Sequence, residues 1–169
     1  ATRSASLMMA DVGFDTNNML LLTVRTSGAA TTRDTNLLLI DRIRERLRSV
    51  PGVQQVSYVR NLPPFAWSRE MVRGTGATDS VRASLHVVGP EYFSTMGLSL
   101  AAGRPLTAAD RDKPAAMAVI NQNMADALWP GGNPLGKTMS MRALTFRGPS
   151  DVETDRVEVV GVMPNAFVF

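Results

Sequence analysis

The clearest chemical pattern in the sequence is a pair of glycines followed by a lysine and a threonine. Gly131, Gly136, Lys137 and Thr138 satisfy the G-x-x-x-x-G-K-T string of a phosphate-binding loop. Such a loop needs a strand before it and a helix after it, because the loop amides and the helix N-terminus must face the phosphates. Here a helical pattern precedes the string, a strand-like alternation follows it, and Pro134 removes one loop amide. We therefore predict a turn and no bound cofactor.

His86 is the only histidine in the chain, and there is no cysteine. It has no second imidazole or thiol with which to share a metal ion, and as a general base it would need a nucleophile and an orienting carboxylate. The sequence contains no Gly-x-Ser-x-Gly elbow. We predict a surface or hydrogen-bonded histidine and no catalytic or metal-binding residue. A hydrolase that uses His86 stays open as an alternative.

Two groups of acidic residues could be interpreted as ion-binding clusters. One contains Asp110 and Asp112, and the other contains Asp151, Glu153 and Asp155. Both lack the glycine turn and the distal glutamate of a calcium loop, and basic residues interrupt or follow them. We predict solvated loop charge for both groups.

Composition narrows the class of protein further. The 169 residues, 44% hydrophobic and 20% charged, suit one domain or two small subdomains with a shared core. The net charge is +3, and the densest basic run, residues 42–48, is interleaved with Asp41 and Glu45 on a predicted helix. We interpret this run as a solvated helix face and expect no nucleic-acid partner. The apolar stretches are shorter than the roughly 20 residues of a membrane helix.

Apolar periodicity predicts a β-α-β unit in the first part of the chain. Residues 20–24 alternate like a strand, residues 34–49 carry one apolar stripe at spacings of three and four, and residues 53–60 again resemble a strand. Pro51 and Gly52 end the helix.

The rest of the chain predicts short strands and short helices. Strands are expected at residues 71–76, 81–88, 116–120, 137–146 and 157–162, helices at residues 90–97 and 121–129, and a capped turn at residues 107–110. Pro90 and Glu91 should begin the first of these helices, with the Glu91 carboxylate beside its positive end. Met139 and Met141 share one strand face, either as core or as an adaptable binding surface. The fold class is therefore predicted to be α+β.

A proline-rich loop at residues 63–67 carries Phe65 and Trp67. Exposed aromatic residues often anchor protein interfaces, so these two are our candidates for a partner contact. The alternative is that they pack under the loop as a small satellite core.

Five segments resemble MacB-like ABC-transporter permeases, in the order of that family. They are residues 11–15 with 18–20 (DVGFD and NML), 47–56 (LRSVPGVQQV), 89–110 (GPEYFSTMGLSLAAGRPLTAAD), 118–139 (AVINQNMADALWPGGNPLGKTM) and 157–165 (VEVVGVMPN). Within that family, the sequences of these segments are most similar to those of acidobacterial-type orphan permeases. The resemblance implies structural roles in turns, caps and core, and no catalytic role, for Pro51, Gly52, Tyr92, Phe93, Gly97, Gly103, Arg104, Asn121, Trp129, Pro134 and Gly136.

The resemblance also implies an architecture and a function. Residues 1–62 would form a linker and a porter-like β-α-β half, and residues 63–169 a β-rich second subdomain with short helices. The strand and helix that complete the porter-like sheet in the family would follow Phe169, which predicts an open sheet edge or one covered by a second copy.

We expect a non-catalytic extracytoplasmic domain of an export or mechanotransmission permease, held at the inner membrane by helices outside this sequence. Its partners would be a separate ABC ATPase, a periplasmic adaptor or a peptide or lipoprotein substrate, and the intact protein would be dimeric. A ligand-binding sensor domain is the alternative, and it would require a concave apolar pocket with convergent polar groups.

Overall fold

The computed structural model describes residues 18–24, 33–60, 68–144 and 151–165. Within these ranges the elements are α1 (Arg33–Arg48), β1 (Ser68–Gly74), β2 (Ser80–Leu85), α2 (Tyr92–Thr95), β3 (Ala102–Gly103), a 3-10 turn (Ala108–Asp112), β4 (Ala116–Asn121), α3 (Gln122–Leu128), β5 (Thr138–Leu144) and β6 (Asp151–Met163). The predicted α+β class is confirmed. No helix among these elements is long and apolar enough to cross a membrane.

The two strands predicted on either side of α1 are not formed. Residues 20–24 make no strand pairing with the described part of the chain, and Leu20 is 91% exposed. In residues 53–60 the single pairing is a bridge between Val59 and Val88. A strand needs a partner for its backbone groups, and no strand among the described residues runs alongside either alternating segment. The helix between them is as predicted, and Leu38 and Leu39 on it are exposed.

The strand β6 occupies the centre of a mixed sheet. It pairs in antiparallel fashion with β5 and β3, and in parallel with β4. The strand β5 also pairs with β1, and β1 with β2, which gives the order β2-β1-β5-β6-β3 with β4 joined to β6. Residues 157–162 were predicted as a strand rich in β-branched residues, and this segment is the part of β6 that contacts β4.

An extra residue in β6 changes which of its side chains point to each face of the sheet. Ala118 is opposite Val159 and Val119 is opposite Gly161, so Val160 has no partner in β4. A bulge of this kind shifts the alternation by one residue. Val159 and Val162 consequently face the same core although they are three positions apart.

The sheet separates two apolar cores. The larger contains Val72, Ile120, Ala125, Leu128, Trp129, Met139, Met141, Val157, Val159 and Val162, so both strand methionines are core residues. The smaller contains Tyr92, Phe93 and Met96, packed against partly buried residues that include Val119 and Met163. Adjacent β4 residues, Val119 and Ile120, belong to different cores because successive side chains of a strand point to opposite faces.

Two glycines allow β3 and β6 to approach closely. A Cβ atom on Gly161 would lie 2.6 Å from the carbonyl oxygen of Arg104, and one on Gly103 would overlap the carbonyl oxygen of Val160. Gly103 also has a φ of +77°, a conformation that other residues rarely adopt. Because neither glycine has a side chain, the short strand β3 can lie directly against β6.

Candidate functional site

The G-x-x-x-x-G-K-T string is a turn between α3 and β5. The helix α3 precedes it and β5 starts at Thr138, the reverse of a phosphate-binding loop. The Gly136 amide donates to Val159 O at 2.8 Å and the Lys137 amide to Pro134 O at 3.1 Å, so both serve the fold. The Lys137 ammonium lies 5.4 Å from the centre of the Trp129 ring, a cation–π contact.

His86 and the second acidic group belong to different parts of the fold. His86 is half-buried just beyond the end of β2. The backbone of residues 151, 153 and 155 lies in β6 and not in a loop, so the loop prediction for that group is wrong. No group of three or more His, Cys, Asp or Glu residues in the described part of the chain is arranged to hold a metal ion.

Asp110 is buried rather than solvated, which corrects the prediction of loop charge at this position. It is 9% exposed, and its two carboxylate oxygens each accept a hydrogen bond from the Arg104 guanidinium at 2.7 Å. It also accepts from the Thr107 amide at 2.8 Å, the contact of a capping box. The Arg104 hydrogen bonds, aided by those from Thr107, hold the pKa of Asp110 far below its usual value. The charge of this carboxylate thus fixes the 3-10 turn to the segment after β3.

A cluster of five charged side chains joins α1 to the rest of the domain. We call it the ionic junction; its members are Asp41, Arg44 and Arg48 from α1, Glu91 before α2, and Arg111 from the 3-10 turn. Arg111 lies 2.6 Å from the Asp41 carboxylate, and Arg44 lies 3.1 Å from Glu91. Arg48 also donates a hydrogen bond to Glu91, and Arg44 is 3.4 Å from Asp41. Acidic and basic groups therefore alternate across the contact.

Tyr58 lies in the middle of this contact. Its hydroxyl accepts a hydrogen bond from Arg111 at 3.4 Å, and the Arg44 guanidinium lies 5.9 Å from the ring centre. Its ring leaves no space for a side chain at Gly89, whose amide donates to Tyr58 O at 2.7 Å. The segment after α1 is thus attached to the segment before α2 by both backbone and ring contacts.

The junction lowers the pKa of both its carboxyl groups. The hydrogen bond from Arg111 lowers the pKa of Asp41, and partial burial opposes it. The hydrogen bond from Arg48 lowers the pKa of Glu91 in the same way. Both groups are therefore ionised at neutral pH and remain available as ion-pair partners.

The sequence prediction missed the junction in two respects. Residues 42–48 were interpreted as a solvated face, and Arg42, Arg46 and Arg48 are indeed exposed. Arg44 is largely buried, and the pairing of Arg44 and Arg48 with Glu91 was not foreseen. Glu91 lies beside the N-terminus of α2 as expected, at the N-cap position with a φ of 64°. Its carboxylate, however, makes no capping hydrogen bond and pairs with Arg44 and Arg48 of α1. Local periodicity cannot identify a partner 47 positions away in the chain.

The motif residues occupy turns, caps and core. Pro51 and Gly52 follow α1, Gly97 follows α2 with a φ of 65°, and Pro134 and Gly136 lie in the turn before β5. Asn121 caps α3 by accepting a hydrogen bond from the Met124 amide at 3.0 Å. Tyr92, Phe93 and Trp129 are buried. Phe65 and Trp67, the candidate partner contacts, lie outside the described residues.

An open groove of about 490 Å³ lies beside α2. Its lining is mostly apolar, with Phe93, Leu98, Leu100 and Leu106 as the largest side chains. Glu91 is the one charged residue among those that line it, and it is already engaged by Arg44 and Arg48. The groove lacks the convergent polar groups by which a ligand-binding pocket orients its ligand.

A family model described as the MacB-like periplasmic core domain matches residues 3–169. The chain belongs to this family. The MacB-like domain is 36% identical over 90 residues to the macrolide export ATP-binding/permease protein MacB of Neisseria gonorrhoeae, an alignment that covers 53% of this chain and 14% of that protein. It is 28% identical over 112 residues to the MacB protein of Mannheimia succiniciproducens, covering 63% of this chain and 17% of the relative. The chain thus spans less than a fifth of the length of these curated relatives.

Two solved structures share the fold of this MacB-like domain. The periplasmic region of MacB from Actinobacillus actinomycetemcomitans superposes with a TM-score of 0.55 at 24% identity, covering 75% of this chain and 50% of that one. The extracellular domain of the noncanonic ABC-type transporter YknZ from Gram-positive bacteria gives a TM-score of 0.51 at 24% identity, covering 73% and 56%. The MacB-like domain is therefore a periplasmic core domain and lies on the extracytoplasmic side of the bacterial inner membrane.

Proposed function

We propose that this domain is a non-catalytic relay in an export permease. It couples ATP hydrolysis by a separate ATPase on the inner side of the membrane to the handling of a substrate or partner on the outer side. The relatives in Neisseria and Mannheimia are named macrolide export ATP-binding/permease proteins, which supports an export role. The observation that carries the relay is the ionic junction, since α1 meets α2 and the 3-10 turn through ion pairs.

Ion pairs suit a contact that must move without unfolding. The described part of the domain contains two apolar cores, and none of the described side chains of α1 belongs to either. Packed cores resist continuous deformation, whereas hydrated ion pairs between half-exposed side chains exchange partners at low cost. A displacement of α1 would therefore change which side chains of the ionic junction pair with one another. The segments that carry Glu91 and Arg111 would move with it.

The assembly around the domain belongs to the same proposal. Residues 1–62 would act as the linker and porter-like half, and residues 63–169 as the β-rich half. The partners would be an ABC ATPase subunit, reached through membrane helices, and a periplasmic adaptor or a peptide or lipoprotein substrate. The intact permease would be a dimer, and Phe65 and Trp67 would contribute to a partner contact.

The first test is copurification from the native membrane. The gene product that contains this domain would be tagged and extracted in detergent, and the bound proteins identified. An ABC ATPase in the eluate is the expected result. A product that is released without detergent and brings no ATPase would overturn the proposal.

A variant test addresses the relay itself. Arg111→Gln in the intact permease should leave ATPase binding unchanged, because the junction lies outside the ATPase contact. It should weaken the coupling of ATP hydrolysis to export, because Asp41 loses its closest partner. Arg42→Gln removes the same charge from an exposed position of α1 outside the junction and is the matched control. Equal export by both variants would argue against a relay through the junction.

A further inference from the structure

The outer face of the β1–β2 hairpin carries a group of exposed basic side chains. We call it the arginine face and define it by Arg69, Met71 and Arg73 of β1 and Arg82 of β2. Arg82 is directly opposite Met71, so it is diagonal to both Arg69 and Arg73. All four side chains are exposed, and Met71 is 53% exposed.

The described part of the chain supplies no ion pair to these three arginines. Diagonal neighbours across an antiparallel pair are about 7–8 Å apart, which is within reach of long side chains. Their like charges therefore repel one another in the isolated domain. Arg44 and Arg48 of α1 differ, because each forms an ion pair with Glu91.

Hydroxyl groups and a shallow groove complete this surface. Arg73 donates a hydrogen bond through Nε to the Ser80 hydroxyl at 3.3 Å, which leaves its two terminal nitrogens available. A groove of about 420 Å³ is lined by Arg69, Met71, Arg73, Ser80 and Ser140, with Met141 and Glu70 also contributing. Glu70 is the one carboxylate of this lining.

We infer that the arginine face binds an extended acidic segment of a partner protein. Arg69 and Arg73 are four residues apart on one strand, which corresponds to about 13 Å. In an extended segment, residues i, i+2 and i+4 point the same way, so carboxylates at i and i+4 would match the two arginines. An apolar residue at i+2 would match Met71, and Arg82 would add a third cation beside it. The planar guanidinium group suits carboxylates because it donates two parallel hydrogen bonds.

The inference adds partner chemistry to the proposed function and is tested independently of it. The probe is a fluorescein-labelled peptide, Gly-Glu-Ser-Leu-Ser-Glu-Gly, titrated with the 169-residue chain and followed by fluorescence anisotropy. Gly-Glu-Glu-Leu-Ser-Ser-Gly has the same composition with adjacent carboxylates. We expect the first peptide to bind at least about fivefold more tightly than the second, and binding to weaken as salt is raised.

Charge-matched variants locate the binding surface. Arg69→Gln/Arg73→Gln should weaken binding of the first peptide about tenfold, a loss of about 1.4 kcal/mol. Arg42→Gln/Arg46→Gln removes two exposed charges from α1 and should leave the affinity unchanged. Thermal unfolding of both doubles checks that the fold is intact.

Three outcomes would overturn the inference. They are equal binding of the two peptides, equal loss in the two double variants, and binding to phosphatidylglycerol vesicles with no binding to either peptide. The last would identify an anionic membrane surface as the partner. None of them bears on whether the intact permease copurifies with an ATPase, so the two proposals fail separately.

Discussion

The guanidinium of Arg111 lies 2.6 Å from the carboxylate of Asp41, which is 70 positions earlier in the chain. This pair connects α1 to the 3-10 turn, and Arg44 continues the connection from Asp41 to Glu91. The described side chains of α1 contribute to neither apolar core, so these charges and the contacts of Tyr58 are among the interactions that hold α1 against the rest of the domain.

The junction predicts a measurable coupling between Asp41 and Arg111. In a double-mutant cycle with Asp41→Asn and Arg111→Gln, we expect a coupling of about 0.5–1 kcal/mol, since both side chains are partly exposed to solvent. Either single variant should also speed hydrogen exchange of the α1 amides. Arg42→Gln serves as the control, and additive single effects with unchanged exchange would show that the pair does not hold α1.

Asp110 should contribute more to stability than its neighbour Asp112. Asp110→Asn weakens two hydrogen bonds from Arg104 and the contact with the Thr107 amide in a buried position, so we expect a loss of about 2 kcal/mol in the free energy of unfolding. Asp112→Asn changes an exposed carboxylate and should cost little. Urea unfolding at neutral pH measures both, and similar losses would contradict the structural difference.

The stabilising effect of Asp110 should disappear in acid. Its folded-state pKa lies below the value of about 3.9 in an unfolded chain, so the ionised form stabilises the fold above that pH. This contribution is lost as the pH falls through the folded-state pKa. The difference in unfolding free energy between the wild type and Asp110→Asn should therefore narrow from pH 5 to pH 2. A difference that stays constant across that range would mean that the charge of Asp110 is not its source.

Gly161 should tolerate a methyl group less well than Gly131. Gly161→Ala places its Cβ 2.6 Å from Arg104 O and 3.2 Å from Val119 Cγ2, which forces β3 away from β6. We expect a loss of about 2–3 kcal/mol. Gly131 has a φ of +67° with nothing within 4 Å of the added Cβ, so alanine there brings backbone strain of about 1 kcal/mol. Thermal unfolding compares the two, and an equal shift would show that the close contact at Gly161 adds no larger cost than the strain at Gly131.

Local patterns were sufficient for most of the fold. The helix at residues 34–49, the cap at Asn121 and the turn at Gly136 follow from spacing, capping and turn chemistry that act over a few residues. The segments at residues 20–24 and 53–60 were predicted as strands from their alternation, but no described strand runs beside them. Alternation alone does not show whether a partner strand is present.

The candidate site was harder to predict because its parts are distant in the sequence. Asp41 and Arg111 each look like ordinary surface charges, and only the fold places them together. The burial of Asp110 was similarly hidden, although the capping pattern at residues 107–110 was visible and gave a signal for its contact with Thr107. The arginine face also needed the register of β1 against β2, which sets Arg82 diagonal to Arg69 and Arg73.

The central place of β6 has a consequence for how the chain acquires its structure during synthesis. The strands β3, β4 and β5 all pair with β6, which is the last of the described strands to leave the ribosome. The β1–β2 hairpin can form earlier from local contacts, but neither core can close before residues 157–163 have emerged. On the periplasmic side of the membrane, the apolar surfaces of α3 and α2 therefore remain open until then, and this interval is when the nascent domain most needs protection from aggregation.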